Sequence, residues 1–174
     1  MGASKTSISQ KILNATACLS KNTTKHVSRK KVAQMCGDPK ESRSYTNQIG
    51  ILKNKKGFIV VVDKETIHLT DKGLEHAELV PPAANNEEAL SKCREKLKMG
   101  KGKKVFDLLS DGKTYTYAEI GNAIQNDHTQ RSFTNIIGPL KTAEFIEYTK
   151  KNGEKACRML DDVFPFGRPN AEEE

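Results

Sequence analysis

Two stretches of the chain carry the same polar side chains at the same spacing. Residues 43–53 read Arg-Ser-Tyr-Thr-Asn-Gln-Ile-Gly-Ile-Leu-Lys, and residues 131–141 read Arg-Ser-Phe-Thr-Asn-Ile-Ile-Gly-Pro-Leu-Lys, so eight of the eleven pairs are identical. Arg pairs bidentately with guanine and Asn with adenine in the major groove of a duplex, whereas Lys contacts phosphates. Gly leaves room for a helix backbone to approach a ligand closely. The repeated set therefore indicates recognition of a nucleic acid.

At about 3.6 residues per turn, each stretch has an apolar face and a polar face. Tyr45, Ile49 and Leu52 lie on the apolar face of the first stretch. The other face, which we call the polar stripe, comprises Arg43, Thr46, Asn47, Gly50 and Lys53 in the first copy and Arg131, Thr134, Asn135, Gly138 and Lys141 in the second. Exposed residues ordinarily diverge after a duplication, and packing alone does not explain the identity of the two stripes.

The stripes also have a structural interpretation. Ser44 and Ser132 would then cap helices, the two arginines would form local ion pairs, and Asn47 and Asn135 would bond to neighbouring loops. Helix surfaces are usually polar, so this alternative stays open at the level of sequence.

The charged residues are blocked along the chain rather than mixed. The formal net charge is +7, with 12 basic and 2 acidic residues in 1–56 and 2 basic and 7 acidic in 57–90. Residues 91–158 carry 14 basic and 8 acidic side chains, and 159–174 carry 1 and 5. Two basic blocks, each followed by an acidic one, indicate a repeated basic face that meets a polyanion.

The repeat organises the whole chain. The same offset of 88 positions aligns one buried helical face in each copy, formed by Val32, Met35 and Cys36 and by Ile120, Ala123 and Ile124. In the first copy we predict helices over 8–19, from the cap Ser28 to Gly37, and from Ser42 to about Lys53, then strands 58–62 and 66–69. In the second we predict a helix around 105–109, one capped by Thr116, one from about 130 to 141, and strands 145–149 and 155–160 turning at Asn152-Gly153. Between the copies, 80–84 reads as a linker and 87–98 as a connecting helix.

Three helices followed by a hairpin resemble the winged helix-turn-helix superfamily, in which the hairpin is called the wing. The first half is similar to the MarR-like branch, because Leu69-Thr70-Asp71-Lys72-Gly73 joins the second wing strand to a further helix. The second half departs from it, with Leu160-Asp161-Asp162-Val163-Phe164-Pro165 in that place. The resemblance implies an α+β, mainly helical fold: winged helix domains at 7–79 and 101–166, a linker with a helix at 80–100, and a disordered tail at 167–174.

Further basic residues extend the candidate DNA contacts. Arg29, Lys30 and Lys31 lie in the first turn of the second helix, where they could grip a phosphate, form a solvated charge run or serve as a nuclear-import signal. The second wing carries Lys150, Lys151, Lys155 and Arg158 around its turn, and Lys151 and Lys155 are assigned to the DNA site. The first wing has Asp63 and Glu65 at its tip. Only the second wing is therefore predicted to contact the DNA backbone or minor groove.

Other chemistry has little support in the sequence. No phosphate loop, nucleophile elbow or metal-ligand cluster is present, and the four cysteines are scattered, so we expect no enzyme, cofactor or metal. No apolar run suits a membrane span or secretory signal, which favours an intracellular protein without a membrane partner, in the nucleus of a eukaryote or the cytoplasm or nucleoid of a prokaryote. The opening Met1-Gly2-Ala3-Ser4-Lys5-Thr6 matches the short, permissive myristoylation pattern.

The sequence thus predicts a double-stranded DNA-binding protein with two recognition helices, acting as a transcriptional regulator or chromosome-associated factor. A covalently joined pair mimics the usual helix-turn-helix dimer, so a monomer or weak dimer suffices. The alternative is a tandem winged helix scaffold that binds protein partners in a larger complex. RNA binding is a third, weaker interpretation.

Overall fold

The computed structural model describes residues 6–38, 40–78, 80–98 and 100–170. These residues form eight α-helices and two three-stranded antiparallel sheets, so the α+β class is confirmed and roughly half of the chain is helical. The chain divides into two compact units, of which the first ends at Ala89 and the second begins at Leu90. Among the described residues, none of the helices has the length and apolar character needed to cross a bilayer.

The first unit places three helices before a hairpin. Its elements are α1 (Ile8–Leu19), β1 (Val27–Ser28), α2 (Arg29–Met35), α3 (Arg43–Asn54), β2 (Ile59–Val61), β3 (Thr66–Leu69) and α4 (Asp71–His76). A hydroxyl begins each helix, because Ser7, Ser28, Ser42 and Thr70 each accept the backbone N–H of the residue three positions on. Such caps satisfy donors that have no partner inside the helix. The strands are ordered β1-β3-β2.

A helix that contains the division point, α5 (Asn86–Glu95), leads to the second unit. The elements that follow are α6 (Lys101–Leu109), β4 (Tyr115–Thr116), α7 (Tyr117–Ile124), α8 (Arg131–Thr142), β5 (Ile146–Lys151), β6 (Glu154–Met159) and a 3₁₀ turn over Asp161–Val163. The strand order β4-β6-β5 repeats that of the first sheet.

Each unit has its own apolar core. Fully buried residues of the first core include Ile12, Val32, Tyr45, Leu52 and Ile67, and those of the second include Phe106, Ile120, Phe133, Leu140 and Phe164. Burying one such side chain stabilises a fold by about 1.5–3 kcal/mol. Corresponding residues such as Tyr45 and Phe133 therefore anchor α3 and α8 in the same way.

The two copies fall out of step by one residue between the third helix and the hairpin. The backbone N–H of Phe58 donates to the Leu52 carbonyl (2.9 Å), and that of Phe145 donates to the Leu140 carbonyl (3.0 Å). The residue before each phenylalanine has left-handed backbone: Gly57 (φ 65°) and Glu144 (φ 60°). The turn of the second copy is therefore one residue shorter, and β5 aligns with β2 only after this shift.

Each sheet contains a short strand that the sequence did not predict. β1 pairs with β3 (Val27 opposite Ile67), and β4 pairs with β6 (Tyr115 opposite Cys157). Strands of two residues are too short to show an alternating pattern, so each predicted hairpin is in fact two strands of a three-stranded sheet.

The segment predicted as a linker is divided between the two units. The Asn14 side chain accepts the backbone N–H of Glu78 (2.8 Å) and donates to the Val80 carbonyl (3.0 Å), which ties this chain segment to α1. The predicted helix 87–98 is α5, whose Cys93 is buried in the core of the second unit beside Leu90. Long-range contacts of this kind leave no signal in local composition.

Residues 167–170, the start of the tail predicted to be disordered, include Arg168, which contacts the rest of the second unit. The Arg168 guanidinium donates to the carbonyls of Gly112 and Met159 and pairs with Asp161 (Nε to Oδ1, 2.7 Å). Its side chain is 11% exposed. Residues 171–174 lie outside the described residues.

Candidate nucleic-acid interface

Both polar stripes face outward from their own units. The apolar faces of the two helices are buried: Tyr45, Ile49 and Leu52 in α3, and Phe133, Ile137 and Leu140 in α8. On the opposite faces the side chains of Arg43, Thr46, Asn47 and Lys53 and of Arg131, Thr134, Asn135 and Lys141 are exposed, with Gly50 and Gly138 half-buried. The helical periodicity read from the sequence therefore places all ten residues on two accessible surfaces.

The contacts required by the structural interpretation of the stripes are not made within the described part of the chain. There, the side chains of Arg43, Asn47, Arg131 and Asn135 have no hydrogen bond or ion pair. Thr46 differs, because its hydroxyl donates to the Glu41 carbonyl (3.1 Å). Arg and Asn groups that carry several donors and acceptors are thus left available to an external ligand.

The serines shared by the two copies do not cap these helices. Ser42 is the N-cap of α3 and accepts the Tyr45 N–H, while Gln130 occupies the N-cap of α8 without a side-chain bond. The Ser132 hydroxyl donates to Asn126 Oδ1 (3.2 Å). Capping therefore does not explain why serine is shared at positions 44 and 132.

The two stripe glycines have no packing role in their units. Apart from its chain neighbours and the backbone of its own helix, a Cβ atom built on Gly50 or Gly138 would meet no heavy atom within 4 Å. Gly inside a helix is less stable than Ala by roughly 0.5–1 kcal/mol. Both copies therefore keep glycine at the same half-buried position, which suits a surface that a bulky ligand approaches. In α8 this glycine also precedes Pro139, whose ring crowds a Cβ on the residue before it.

At the start of α2, Arg29 is engaged inside the protein. Its Nη2 lies 2.9 Å from Glu41 Oε2, and the side chain is only 15% exposed. Its Nε is buried without a hydrogen-bond partner in the described residues. Lys30 and Lys31 are half-buried. Arg29, the first cation of the predicted phosphate grip, is thus committed to the segment before α3.

The hairpin of the second unit presents two lysines side by side. Its turn is formed by Asn152 (φ 52°) and Gly153 (φ 81°), the left-handed pair predicted from the sequence. Lys150 and Lys155 are exposed and directly opposite each other in the β5–β6 register. Like charges at opposite positions destabilise a strand pair. An anion bound across them would relieve that repulsion.

Lys151, by contrast, is directed toward α7. Its Nζ lies 3.0 Å from Glu119 Oε1 and 5.7 Å from the centroid of the Tyr115 ring. Of the two wing lysines in the predicted site, Lys155 therefore faces solvent and Lys151 has an internal partner. Lys150 is the better companion to Lys155.

The tip of the first hairpin is acidic. Asp63 Oδ1 accepts the Glu65 backbone N–H (2.7 Å), and this bond lowers the pKa of Asp63 below its ordinary value. A carboxylate held in its charged form repels phosphate. The two hairpins therefore carry opposite charge at their tips, although the two polar stripes are identical in residue type.

One aromatic residue beside the second stripe was missed in the sequence. The Lys141 Nζ lies 4.1 Å from the centroid of the Tyr148 ring, on β5. Burial raises the pKa of the Tyr148 hydroxyl, so the ring stays neutral at physiological pH. Because the turn of the second copy is one residue shorter, the constant offset of 88 positions does not align Tyr148 with its counterpart in β2.

Comparisons with known proteins add no function to these observations. No family model, curated protein or solved structure matches the chain. In the described ranges, no group of three or more His, Cys, Asp or Glu side chains could hold a metal ion. The four cysteines form no disulfide bond in the part of the chain that the structure describes. The functional argument therefore depends on the two stripes and the second hairpin.

Proposed function

We propose that each unit is a winged helix-turn-helix domain and that the protein binds double-stranded DNA through α3 and α8, as a transcriptional regulator or chromosome-associated factor. The order of three helices and a hairpin in both units supports the fold assignment. The observation that carries the function is the identity of two outward stripes whose Arg and Asn side chains have no partner in the described residues.

The stripe chemistry favours a duplex. An α-helix fits the major groove, where Arg and Asn recognise guanine and adenine through paired hydrogen bonds. Gly50 and Gly138 remove side-chain bulk from the middle of each helix, where the groove floor comes closest. In the second unit, Lys150 and Lys155 supply positive charge suited to the sugar-phosphate backbone.

A protein-binding scaffold is the second candidate, and the first hairpin favours it. Val60 and Val62 are 38% and 49% exposed, beside the acidic tip that contains Asp63 and Glu65. Exposed apolar residues next to carboxylates suit a basic protein partner better than DNA. The first unit could therefore bind DNA through α3 and a protein through its hairpin.

The proposal is tested by fluorescence anisotropy with a labelled random-sequence duplex across a salt series. Neutralisation of phosphates predicts that log affinity falls linearly with log salt, with a slope of about −0.9 for each phosphate contacted. The matched control is one strand of the same duplex, which should bind more weakly because it offers no major groove. No binding to the duplex at low ionic strength would overturn the proposal in favour of the scaffold.

A further inference from the structure

Lys141 and Tyr148 join the recognition helix of the second unit to its hairpin. The Lys141 ammonium lies 4.1 Å from the ring centroid, within the range of a cation–π contact. Tyr148 is itself held in place, because its ring meets Tyr117 edge-on (6.4 Å between centroids), and Tyr117 packs on Phe133 of α8 (5.2 Å). A row of aromatic rings thus runs from the core to the lysine.

The first unit lacks this arrangement. Tyr148 lies opposite Cys157 in the β5–β6 register, and the corresponding residue of β2, opposite Ile67, is Val61. Valine has no π face to attract a cation. The lysine at the equivalent stripe position, Lys53, is exposed at the end of α3. The two stripes therefore end in the same residue type with different surroundings.

We propose that Tyr148 is a positioning residue that orders Lys141 for contact with a DNA phosphate, which makes the second unit the stronger DNA-binding unit. This inference rests on the proposed function. A lysine side chain has many rotamers, and ordering it before binding removes an entropic cost that Lys53 must meet on binding. The ring occupies one side of the ammonium, and its N–H groups on the other side can donate to phosphate oxygens. Tyr148 is 40% exposed, so the pair is accessible to a duplex.

Three substitutions distinguish the contribution of the π face from those of apolar volume, the hydroxyl and the cation. Tyr148→Phe keeps the π face, Tyr148→Leu keeps apolar volume without it, and Lys141→Met removes the cation. In the anisotropy assay we expect Tyr148→Phe to bind like the wild type. We expect Tyr148→Leu to bind about threefold to fivefold more weakly, the worth of an exposed cation–π contact. Lys141→Met should lower the magnitude of the salt slope by about 1.

The double variant Tyr148→Leu/Lys141→Met should bind no more weakly than Lys141→Met alone, because Tyr148 acts through Lys141. Val61→Leu in the first unit is the matched control and should leave affinity unchanged. Thermal unfolding checks that every variant is folded, and the ring-current shift of the Lys141 ε-methylene protons in NMR spectra should persist in Tyr148→Phe and vanish in Tyr148→Leu.

The possible outcomes distinguish failure of the positioning role from failure of the proposed function. If the wild type binds duplexes but Tyr148→Leu binds equally well, or if the effects of the two substitutions add in full, the positioning role is wrong and the proposed function stands. Equal weakening in Tyr148→Phe and Tyr148→Leu also overturns it, because the hydroxyl would then be the determinant. A wild-type chain that ignores duplexes overturns both proposals.

Discussion

Gly73 lies so close to the backbone of Phe58 that a Cβ atom on Gly73 would stand 1.9 Å from the Phe58 carbonyl oxygen. The same carbonyl accepts the Thr70 N–H (3.0 Å), and the Thr70 hydroxyl donates to the Gly57 carbonyl (2.7 Å). The start of α4 is therefore seated directly on the entry to the first hairpin, and only glycine fits there.

We accordingly expect Gly73→Ala to destabilise the first unit by roughly 3 kcal/mol, because backbone atoms must move to admit the methyl group. Urea unfolding followed by circular dichroism measures the change. Gly50→Ala, at a glycine with open space around it, is the matched control and should not destabilise. A stable Gly73→Ala variant would mean that α4 can lift away from Phe58.

The two stripe glycines should differ in their effect on stability and agree in their effect on binding. Because a Cβ at Gly50 meets no atom beyond its own helix backbone and chain neighbours, alanine should stabilise α3 by about 1 kcal/mol or less. Gly138 precedes Pro139, whose ring crowds a Cβ on the residue before it, so alanine there should not stabilise α8. In the proposed complex the same methyl groups would enter the space between helix and duplex, so affinity should fall at least about threefold, or ~0.7 kcal/mol. Urea unfolding measures the change in stability, and fluorescence anisotropy on the same samples measures the change in affinity. Unchanged affinity in both variants would remove the glycines from the interface.

The stripe arginines should determine sequence preference. Replacing both, Arg43→Ala with Arg131→Ala, should lower affinity and flatten discrimination among duplex sequences, since a bidentate contact to a base is worth about 1–3 kcal/mol. Competition with a randomised duplex pool measures both effects. Lys64→Ala, an exposed residue at the tip of the first hairpin, is the control and should keep the preference. Unaltered binding by the double variant would assign the contact to another surface.

The start of α7 should make the second unit sensitive to acid. Thr116 Oγ1 accepts the Glu119 N–H (3.1 Å), and Glu119 Oε2 accepts the Thr116 N–H (2.7 Å). The Thr116 N–H and the Lys151 ammonium lower the pKa of Glu119 below its ordinary value of 4.5. A lowered pKa in the folded state stabilises the fold above the ordinary value, and the stabilisation is lost as pH falls through the lowered one.

Between pH 7 and pH 3, Tm should therefore fall further in the wild type than in Glu119→Gln. The corresponding difference between the two proteins in the pH-dependent loss of unfolding free energy should stay below about 1 kcal/mol, because Glu119 is 46% exposed and solvent screens its charge. Thr116→Ala, which removes the uncharged half of the cap, should lower stability by about 1 kcal/mol at both pH values. Equal pH dependence in the wild type and Glu119→Gln would contradict the reciprocal cap.

The sequence predicts those features of the fold that depend on a few adjacent residues. Ser42 begins α3 and Asn152-Gly153 turns the second hairpin, because caps and left-handed turns depend on a few adjacent residues. The outward direction of the stripes follows from helical periodicity in the same way. Contacts between residues that are distant in sequence were not predicted. Nothing near Lys151 indicates that its partner is Glu119, 32 residues away. Arg29 pairs with Glu41, a residue in the segment after α2 that no local pattern links to it.

The single-residue difference between the two turns shows what determines where each hairpin begins. The turn before Phe145 is one residue shorter than the turn before Phe58, and in both units the phenylalanine N–H donates to the leucine carbonyl near the end of the preceding helix. Two turn lengths therefore satisfy the same hydrogen bond. The bond, and not the number of residues in the turn, determines the starting point of the hairpin.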